Sequence, residues 1–262
     1  MKQRISSGFT IIETMLFLAI TGLLIVGALI GTGVALNNQR YRDAVETLKT
    51  TVQGQYAELG SIKNDRSNNW NCGSDATPVE GDTDRGQTDC FIVGRYMVLN
   101  KGDVTIYTVL AHENAGASVK ATDVQGLKTN YTYNVSEQTE SRSMEWSTEV
   151  GWPTTGNEAK APQTPASLAI LFVRSPQTGI IYTFSSNDTP ATPDVITSAT
   201  FTDIMSDNYS TPGEGMGERT ICVVQPGAFA LGGDRSVFIN AQASTASAVE
   251  IRTNDMEGAS KC

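Results

Sequence analysis

One long apolar segment constrains this chain more than any other feature. From Met15 to Leu36 no residue carries a charge, and the segment is longer than the roughly 20 apolar residues that a helix needs to cross a bilayer. A short basic tail that contains Lys2 and Arg4 precedes it. The sequence therefore predicts one membrane-spanning helix near the N-terminus.

An acidic residue, Glu13, stands at the start of this apolar segment. Burying a carboxylate in hydrocarbon costs on the order of a few kcal/mol unless another group pairs with it. A simple membrane anchor gains nothing from such a residue, so Glu13 is predicted to have a function.

The residues around Glu13 carry a family resemblance. The sequence Gly-Phe-Thr-Ile-Ile-Glu of residues 8–13, behind its basic leader, resembles the class III signal of type IV pilins and of the pseudopilins of type II secretion and DNA-uptake systems. The resemblance implies that a prepilin peptidase cuts between Gly8 and Phe9, removes residues 1–8 and leaves the helix on the mature protein. It also implies N-methylation of Phe9, and a role for Glu13 in assembly through pairing with the Phe9 amine of a neighbouring subunit.

A helical pattern continues beyond the membrane segment. Its apolar positions recur at helical spacing, with polar residues between them, at Tyr41, Val45, Leu48, Val52, Tyr56, Leu59 and Ile62. We therefore predict one helix over residues 9–63, with a transmembrane part at about 15–36 and an amphipathic part that packs on a head domain. The resemblance implies the same architecture.

Residues 64–262 are predicted to form an extracellular globular head rich in antiparallel strands, which makes the fold class α+β. The strand-like runs are separated by turn signals, and residues 64–90 are predicted to be a loop. Residues 153–165 are predicted to be a linker. The predicted strands cover residues 91–99, 104–110, 127–135, 143–150, 168–174, 180–184, 220–225, 236–240 and 248–252. This arrangement loosely resembles the heads of minor pseudopilins of the GspH/FimT type.

Four cysteines follow the helix, and none has the C-x-x-C spacing of a metal site. Three pairings are possible. We favour Cys72–Cys90, which closes a loop rich in Gly, Asp and Thr, and Cys222–Cys262, which ties the last residue back to a strand. Disulfides form in oxidising compartments, which agrees with a head outside the cytoplasm.

The sequence contains little that an enzyme would need. His112 is the single histidine, and it follows a predicted strand at a turn, so a solvated turn histidine is the expected interpretation. No phosphate-binding loop, zinc-protease motif or nucleophile elbow occurs. We therefore predict that the chain is not an enzyme.

An acidic loop offers an alternative prediction, a calcium site. Asp82, Asp84 and Asp89 place carboxylates around a turn glycine, which suits a hard cation, but the twelve-residue calcium pattern with its final Glu is missing. A solvated acidic loop is the favoured interpretation, and no cofactor is expected.

The charge balance is acidic. The net charge is −9, and loss of Lys2 and Arg4 with the leader makes it more negative. Surfaces that bind nucleic acid are basic, so there is no strong case for direct nucleic-acid binding.

The expected function is therefore structural. We predict a subunit of a type IV pilus or pseudopilus, minor or at the tip, whose partners are other pilin subunits through the N-terminal helix, the prepilin peptidase/methyltransferase and the pilus assembly platform. It is expected to cross the inner (cytoplasmic) membrane once before assembly and to lie in an extracellular or periplasmic filament afterwards. The alternative is a membrane-tethered surface adhesin or DNA-uptake receptor that does not polymerise.

Overall fold

The structure is a computed structural model that describes residues 10–61, 70–81, 88–151, 167–187, 195–205, 216–225, 235–253 and 262. The chain divides into two compact units, one that ends at Arg40 and one that runs from Tyr41 to Cys262. A long N-terminal helix followed by antiparallel sheets makes the fold α+β, which confirms the predicted fold class.

The described residues form three α-helices and eleven strands. The helices are α1 Ile11–Gly60, α2 Asp123–Asn130 and α3 Ser198–Ile204. The strands are β1 Trp70–Cys72, β2 Pro78–Glu80, β3 Cys90–Asn100, β4 Asp103–Glu113, β5 Tyr131–Ser143, β6 Glu149–Gly151, β7 Ser167–Arg174, β8 Ile181–Ser186, β9 Arg219–Val224, β10 Arg235–Ile239 and β11 Val249–Thr253. The predicted strands at 91–99, 168–174 and 220–225 match β3, β7 and β9 to within one residue.

A five-stranded antiparallel sheet in the order β5-β4-β3-β7-β8 forms the middle of the head. Both of its faces are covered, and β3 illustrates this: Met97 and Leu99 belong to one hydrophobic core, and Tyr96 and Val98 belong to another. Successive side chains of a strand point to opposite faces. A strand that is covered on both sides needs an unbroken apolar run, which β7 supplies with residues 168–173.

The first core contains the amphipathic part of α1. The predicted apolar stripe is buried at Tyr41, Val45, Leu48, Val52, Tyr56 and Leu59, while Ile62 lies outside the described residues. These side chains pack with residues of the five-stranded sheet and of a four-stranded antiparallel sheet in the order β11-β10-β9-β6. Full burial of one such side chain contributes roughly 1.5–3 kcal/mol, so the stripe holds residues 41–60 in the head.

The second core lies on the other face of the five-stranded sheet, under α2 and α3. Leu127 of α2 and Phe201 of α3 are buried there. The ring of Phe201 meets Tyr96 edge to face, with the centroids 5.5 Å apart, and meets Tyr133 with the centroids 5.8 Å apart. The head is therefore layered, and the two short helices close the side of the sheet that α1 does not cover.

The predicted strand at 127–135 is wrong in its first half. Residues 127–130 complete α2, and β5 begins at Tyr131. Thr122 caps this helix, because its hydroxyl accepts a hydrogen bond from the backbone N–H of Gln125 at 3.2 Å.

The predicted strand at 143–150 is also wrong. β5 ends at Ser143, a 3-10 turn covers Glu145–Ser147, and β6 begins only at Glu149. The backbone of Trp146 and Ser147 has positive φ values of 58° and 55°, and this left-handed conformation interrupts an extended strand.

The predicted loop at 64–90 is only partly a loop. Within it β1 and β2 pair as an antiparallel hairpin, with Asn71 opposite Val79. Ala76 lies in the connection and is fully buried. The predicted linker at 153–165 lies outside the described residues.

Candidate functional site at the start of the apolar helix

Thr10 caps the N-terminus of α1 and fixes Glu13 in the first turn. The backbone N–H of Glu13 donates to the carbonyl oxygen of Thr10 at 3.1 Å and to Thr10 Oγ1 at 3.3 Å. A threonine followed three residues later by a glutamate is the sequence signature of a capping box. This signal was present in the sequence, but the role predicted for Glu13 came from its position at the apolar segment and from the family resemblance, and the cap was not predicted. A carboxylate in the first turn also interacts favourably with the helix dipole.

The apolar part of α1 presents an exposed hydrophobic surface. Residues 15–36 are exposed except for the half-buried Thr21, and Leu23, for example, is 75% exposed. Soluble proteins rarely present a continuous apolar surface of this extent. The helix is long and apolar enough to cross a membrane.

The hydroxyl groups within this segment are satisfied by the helix itself. Thr14, Thr21 and Thr32 donate to the carbonyl oxygens of Ile11, Phe17 and Leu29 at distances of 2.8–3.0 Å. Such bonds let a threonine enter an apolar environment without an unpaired donor. Over residues 10–36, Glu13 is the charged group, and its carboxylate would need a partner from outside the helix if it were buried.

Two predicted site residues, Gly8 and Phe9, lie outside the described residues. Cleavage between them, methylation of Phe9 and its pairing with Glu13 stay predictions. Glu13 itself is exposed.

The head is cross-linked at two places. Cys72 at the end of β1 is bonded to Cys90 at the start of β3, with the Cα atoms 5.6 Å apart. Cys222 of β9 is bonded to Cys262, with the Cα atoms 5.5 Å apart. These are the two pairs that the sequence favoured.

The histidine is not at a solvated turn, so that interpretation is wrong. His112 lies within β4, opposite Cys90 of β3. Its ring is half-buried, and Nδ1 has no hydrogen-bond partner within the described part of the chain. The strand is longer than predicted because β5 pairs with β4 as far as Glu113.

The residues proposed for calcium are only partly described. Asp89 is exposed, and Asp82 and Asp84 lie outside the described residues. Within the described ranges, no group of three or more His, Cys, Asp or Glu side chains is placed to hold a metal ion. Calcium at the acidic loop stays a prediction.

A polar cluster around Arg95 was not visible in the sequence. Its guanidinium donates to Glu140 at 2.7 Å, to Thr108 at 2.6 Å and to Gln55 of α1 at 3.3 Å. Burial raises the pKa of Glu140, but the hydrogen bonds and charges of Arg95 and Arg142 outweigh it and hold that pKa below its ordinary value. The cluster connects the helix to three strands at the rim of the first core.

A second unforeseen cluster is centred on Asp123 in the first turn of α2. Its carboxylate accepts hydrogen bonds from the hydroxyls of Ser175 at 2.6 Å, Thr178 at 2.5 Å and Tyr182 at 3.1 Å. The acceptor is on α2, whereas the donors are on or beside the β7–β8 turn. The cluster therefore fastens this turn to the short helix.

Comparison of the chain with protein-family models, with curated proteins and with solved structures found no match. The order of its elements, a 50-residue helix followed by antiparallel sheets, fits the architecture of pilins.

Proposed function

We propose that this chain is a structural subunit of a type IV pilus or pseudopilus filament, cleaved between Gly8 and Phe9 and N-methylated on Phe9. The observation that carries this function is the position of Glu13, in the first turn of a helix that has no charged residue from Met15 to Leu36. Lipid can cover such a helix, and so can a bundle of other apolar helices. A filament subunit uses both environments in turn.

The free-energy cost of desolvating the Glu13 carboxylate differs between the two environments. In the membrane it lies at the end of the apolar segment, where water limits the desolvation of its carboxylate. In a bundle of helices it is surrounded by apolar side chains and needs a cation, which the Phe9 amine of a neighbouring subunit supplies. Removing one member of a buried ion pair typically costs about 3–5 kcal/mol.

The same pair gives the filament its register. Apolar helices can slide past one another with little change in contact energy, whereas one buried polar position fixes their alignment, as it does in coiled coils. The two disulfides suit a compartment outside the cytoplasm. We propose a minor or tip position, with other pilins, the prepilin peptidase and the assembly platform as partners.

Substitution of Glu13 tests this function. Glu13→Val and Glu13→Gln subunits, co-expressed with wild-type partners, should fold and be cleaved but should be strongly depleted from purified filaments. Glu46→Gln is the matched control, because Glu46 is an exposed acid on the same helix that pairs with Lys49, and it should enter filaments normally. Quantitative mass spectrometry of filament and membrane fractions measures the occupancy. Wild-type occupancy of Glu13→Val would overturn the filament function and favour a tethered adhesin or receptor.

A further inference from the structure

Strand β5 forms one edge of the five-stranded sheet. It is the end strand in the sheet order, and among the described residues only β4 pairs with it. The first half of this edge is covered, because the backbone N–H of Tyr133 donates to Ser198 Oγ of α3 at 3.0 Å. The register against β4 then shifts between Val135 and Thr139, and every residue from Thr139 to Ser143 is exposed. The second half of β5 is therefore an uncovered strand edge.

Alternate residues of this edge direct their backbone groups away from the sheet. The N–H of Met144 donates to the carbonyl oxygen of Gly102 at 2.7 Å, so residue 144 is on the side that bonds to β4. Bonded and non-bonded residues alternate along an antiparallel pair. The N–H and C=O groups of Thr139, Ser141 and Ser143 therefore point outwards, where they can pair with another strand.

The side chains of the edge are polar and carry both signs of charge. Thr139, Ser141 and Ser143 place hydroxyls on one face, and Glu140 and Arg142 lie on the other face, that of the first core. The guanidinium of Arg142 is 3.2 Å from the carboxylate of Glu140, and both side chains are largely exposed. Residues 136–143 contain none of the lysines or prolines that keep many strand edges from pairing.

We propose that this edge pairs antiparallel with the same edge of a second copy of the chain, with Ser141 on the two-fold axis. In this register Glu140 lies opposite Arg142 of the partner subunit, and Arg142 lies opposite Glu140 of the partner subunit. Thr139 lies opposite Ser143 of the partner subunit. The two five-stranded sheets then form one continuous sheet across the dimer.

Charge complementarity selects this register. Each carboxylate has a guanidinium beside it on its own strand and another one across the axis, so the charges alternate in sign around the axis. Opposite charges directly across an antiparallel pair are stabilising, and like charges are destabilising. An axis at Glu140 would set two carboxylates against each other, and an axis at Arg142 would set two guanidinium groups against each other. An axis at Thr139 or at Ser143 would leave these charges without a charged partner across it.

Backbone and hydroxyl groups complete the match. Ser141 exchanges two backbone hydrogen bonds with Ser141 of the partner subunit, and their hydroxyls meet on the face away from the charges, where such pairs are favourable. The paired segment is short and buries less surface than a stable complex does. The dimer is therefore weak and forms at high local concentration. It does not depend on the proposed filament function.

Cysteine cross-linking of the full chain in detergent micelles tests the pairing. The native cysteines are held in disulfides, so each variant adds one free thiol. Residues bonded across the axis have Cα atoms about 5.5 Å apart, which a disulfide can span. Under mild oxidation Ser141→Cys should therefore form a covalent dimer. Val119→Cys, at a side chain that is 88% exposed, controls for random collision and should react at least roughly tenfold more slowly, which corresponds to about 1.4 kcal/mol.

Two further cysteine variants test the register. Two copies of residue 139 are four positions apart along the proposed pair, about 14 Å, so Thr139→Cys alone should react no faster than Val119→Cys. A mixture of Thr139→Cys and Ser143→Cys subunits should give the mixed covalent dimer. Equal rates for Ser141→Cys and Thr139→Cys overturn the proposed register. Equal rates for Ser141→Cys and Val119→Cys overturn the dimer and leave the edge to water or to a strand of another protein.

A charge reversal tests the ion pairs. In the Ser141→Cys background, Arg142→Glu sets a carboxylate opposite Glu140 of the partner subunit and should slow cross-linking roughly tenfold, or about 1.4 kcal/mol. Arg42→Glu makes the same change of charge at an exposed residue of α1 and should leave the rate unchanged. An undiminished rate in Arg142→Glu, or an equal reduction in both variants, overturns the charge pairing across the axis.

Discussion

The hydroxyl of Tyr56 on α1 lies 2.8 Å from the hydroxyl of Thr183 on β8, and both side chains are buried. The ring of Tyr56 also meets Phe172 of β7 edge to face, with the centroids 5.1 Å apart. One side chain thus fills the first core and joins the helix to the five-stranded sheet through a hydrogen bond.

Removing one hydroxyl of this pair should cost more than removing both. We expect Tyr56→Phe to lower the free energy of unfolding by about 1–2 kcal/mol, because the hydroxyl of Thr183 is then buried without this partner. Adding Thr183→Val should recover part of that loss. A double-mutant cycle by urea denaturation measures the coupling, expected at about 1 kcal/mol. Additive losses would show that the hydroxyls do not interact.

Alkaline pH should destabilise the head through its buried tyrosines. Burial raises the pKa of Tyr56 to about 12, against a lowering by its hydrogen bond to Thr183, and burial also raises the pKa of Tyr133. These groups keep their protons when folded but lose them near pH 10 when unfolded. The contribution of these tyrosines to the free energy of unfolding is therefore fully present below about pH 10 and is lost as pH rises towards 12.

Urea midpoints measured between pH 8 and about 11 give the slope of stability against pH, which we expect to be negative above about pH 10. Tyr56→Phe should make it shallower, and the contribution of Tyr133 should remain. An unchanged slope in Tyr56→Phe would contradict the raised pKa of Tyr56.

Asp123 should stabilise the head more than an ordinary helix carboxylate does. Asp123→Ala removes the acceptor of three hydroxyls at the β7–β8 turn, and we expect a loss of about 2–3 kcal/mol. Asp203→Ala in α3 is the control, because Asp203 is exposed, and it should lie within about 0.5 kcal/mol of the wild type. Thermal unfolding of both variants makes the comparison, and equal losses would contradict the role of the cluster.

The two disulfides should contribute unequally. Cys222–Cys262 spans 40 residues and Cys72–Cys90 spans 18, and a longer loop loses more chain entropy in the unfolded state. Replacing both members by Ala should cost about 0.7 kcal/mol more for the longer loop. Urea denaturation of the two double variants measures the loss in the free energy of unfolding. A smaller loss for the Cys222–Cys262 pair would contradict this account.

Processing should leave a mature chain that begins at Phe9. Intact-mass measurement of protein recovered from membranes should give the mass of residues 9–262 with one added methyl group. Gly8→Leu should block the cut, because the peptidase must close around a small residue. A chain that retains Met1, or one that is cut after Leu36, would contradict the pilin-type signal.

Hydrophobic periodicity and turn residues in the sequence predicted the elements that are formed by residues close together in the chain. The apolar stripe from Tyr41 to Leu59 is buried as its spacing predicted, because each helical turn presents the same face to the head. The apolar, strand-like runs of β3 and β4 and the turn between them were predicted equally well, since a hairpin is formed by residues that are close in sequence.

Features that depend on distant contacts were not predicted. The left-handed conformation of Trp146 is imposed by Lys101 and Gly102, more than 40 residues earlier, and β6 is a strand because Val150 pairs with Val223 of β9. The eight residues of α2 are too few for a helical period to stand out, although Thr122 marked its start. At the candidate site, the sequence identified Glu13. The Thr10 cap is a local contact, three residues away, whose signature was present in the sequence although it was not predicted.

The burial of the α1 stripe has a consequence for how the chain is made. Tyr41 donates a hydrogen bond to the carbonyl oxygen of Arg235, and Gln53 donates one to that of Val249, across separations of 194 and 196 residues. At about 5–20 residues per second, synthesis of the strands that cover the stripe follows it by roughly 10–40 seconds. During that time the stripe has emerged from the ribosome without its partners. The first core therefore closes only after β11 has been made, and the yield of folded protein depends on what keeps the earlier strands from aggregating until then.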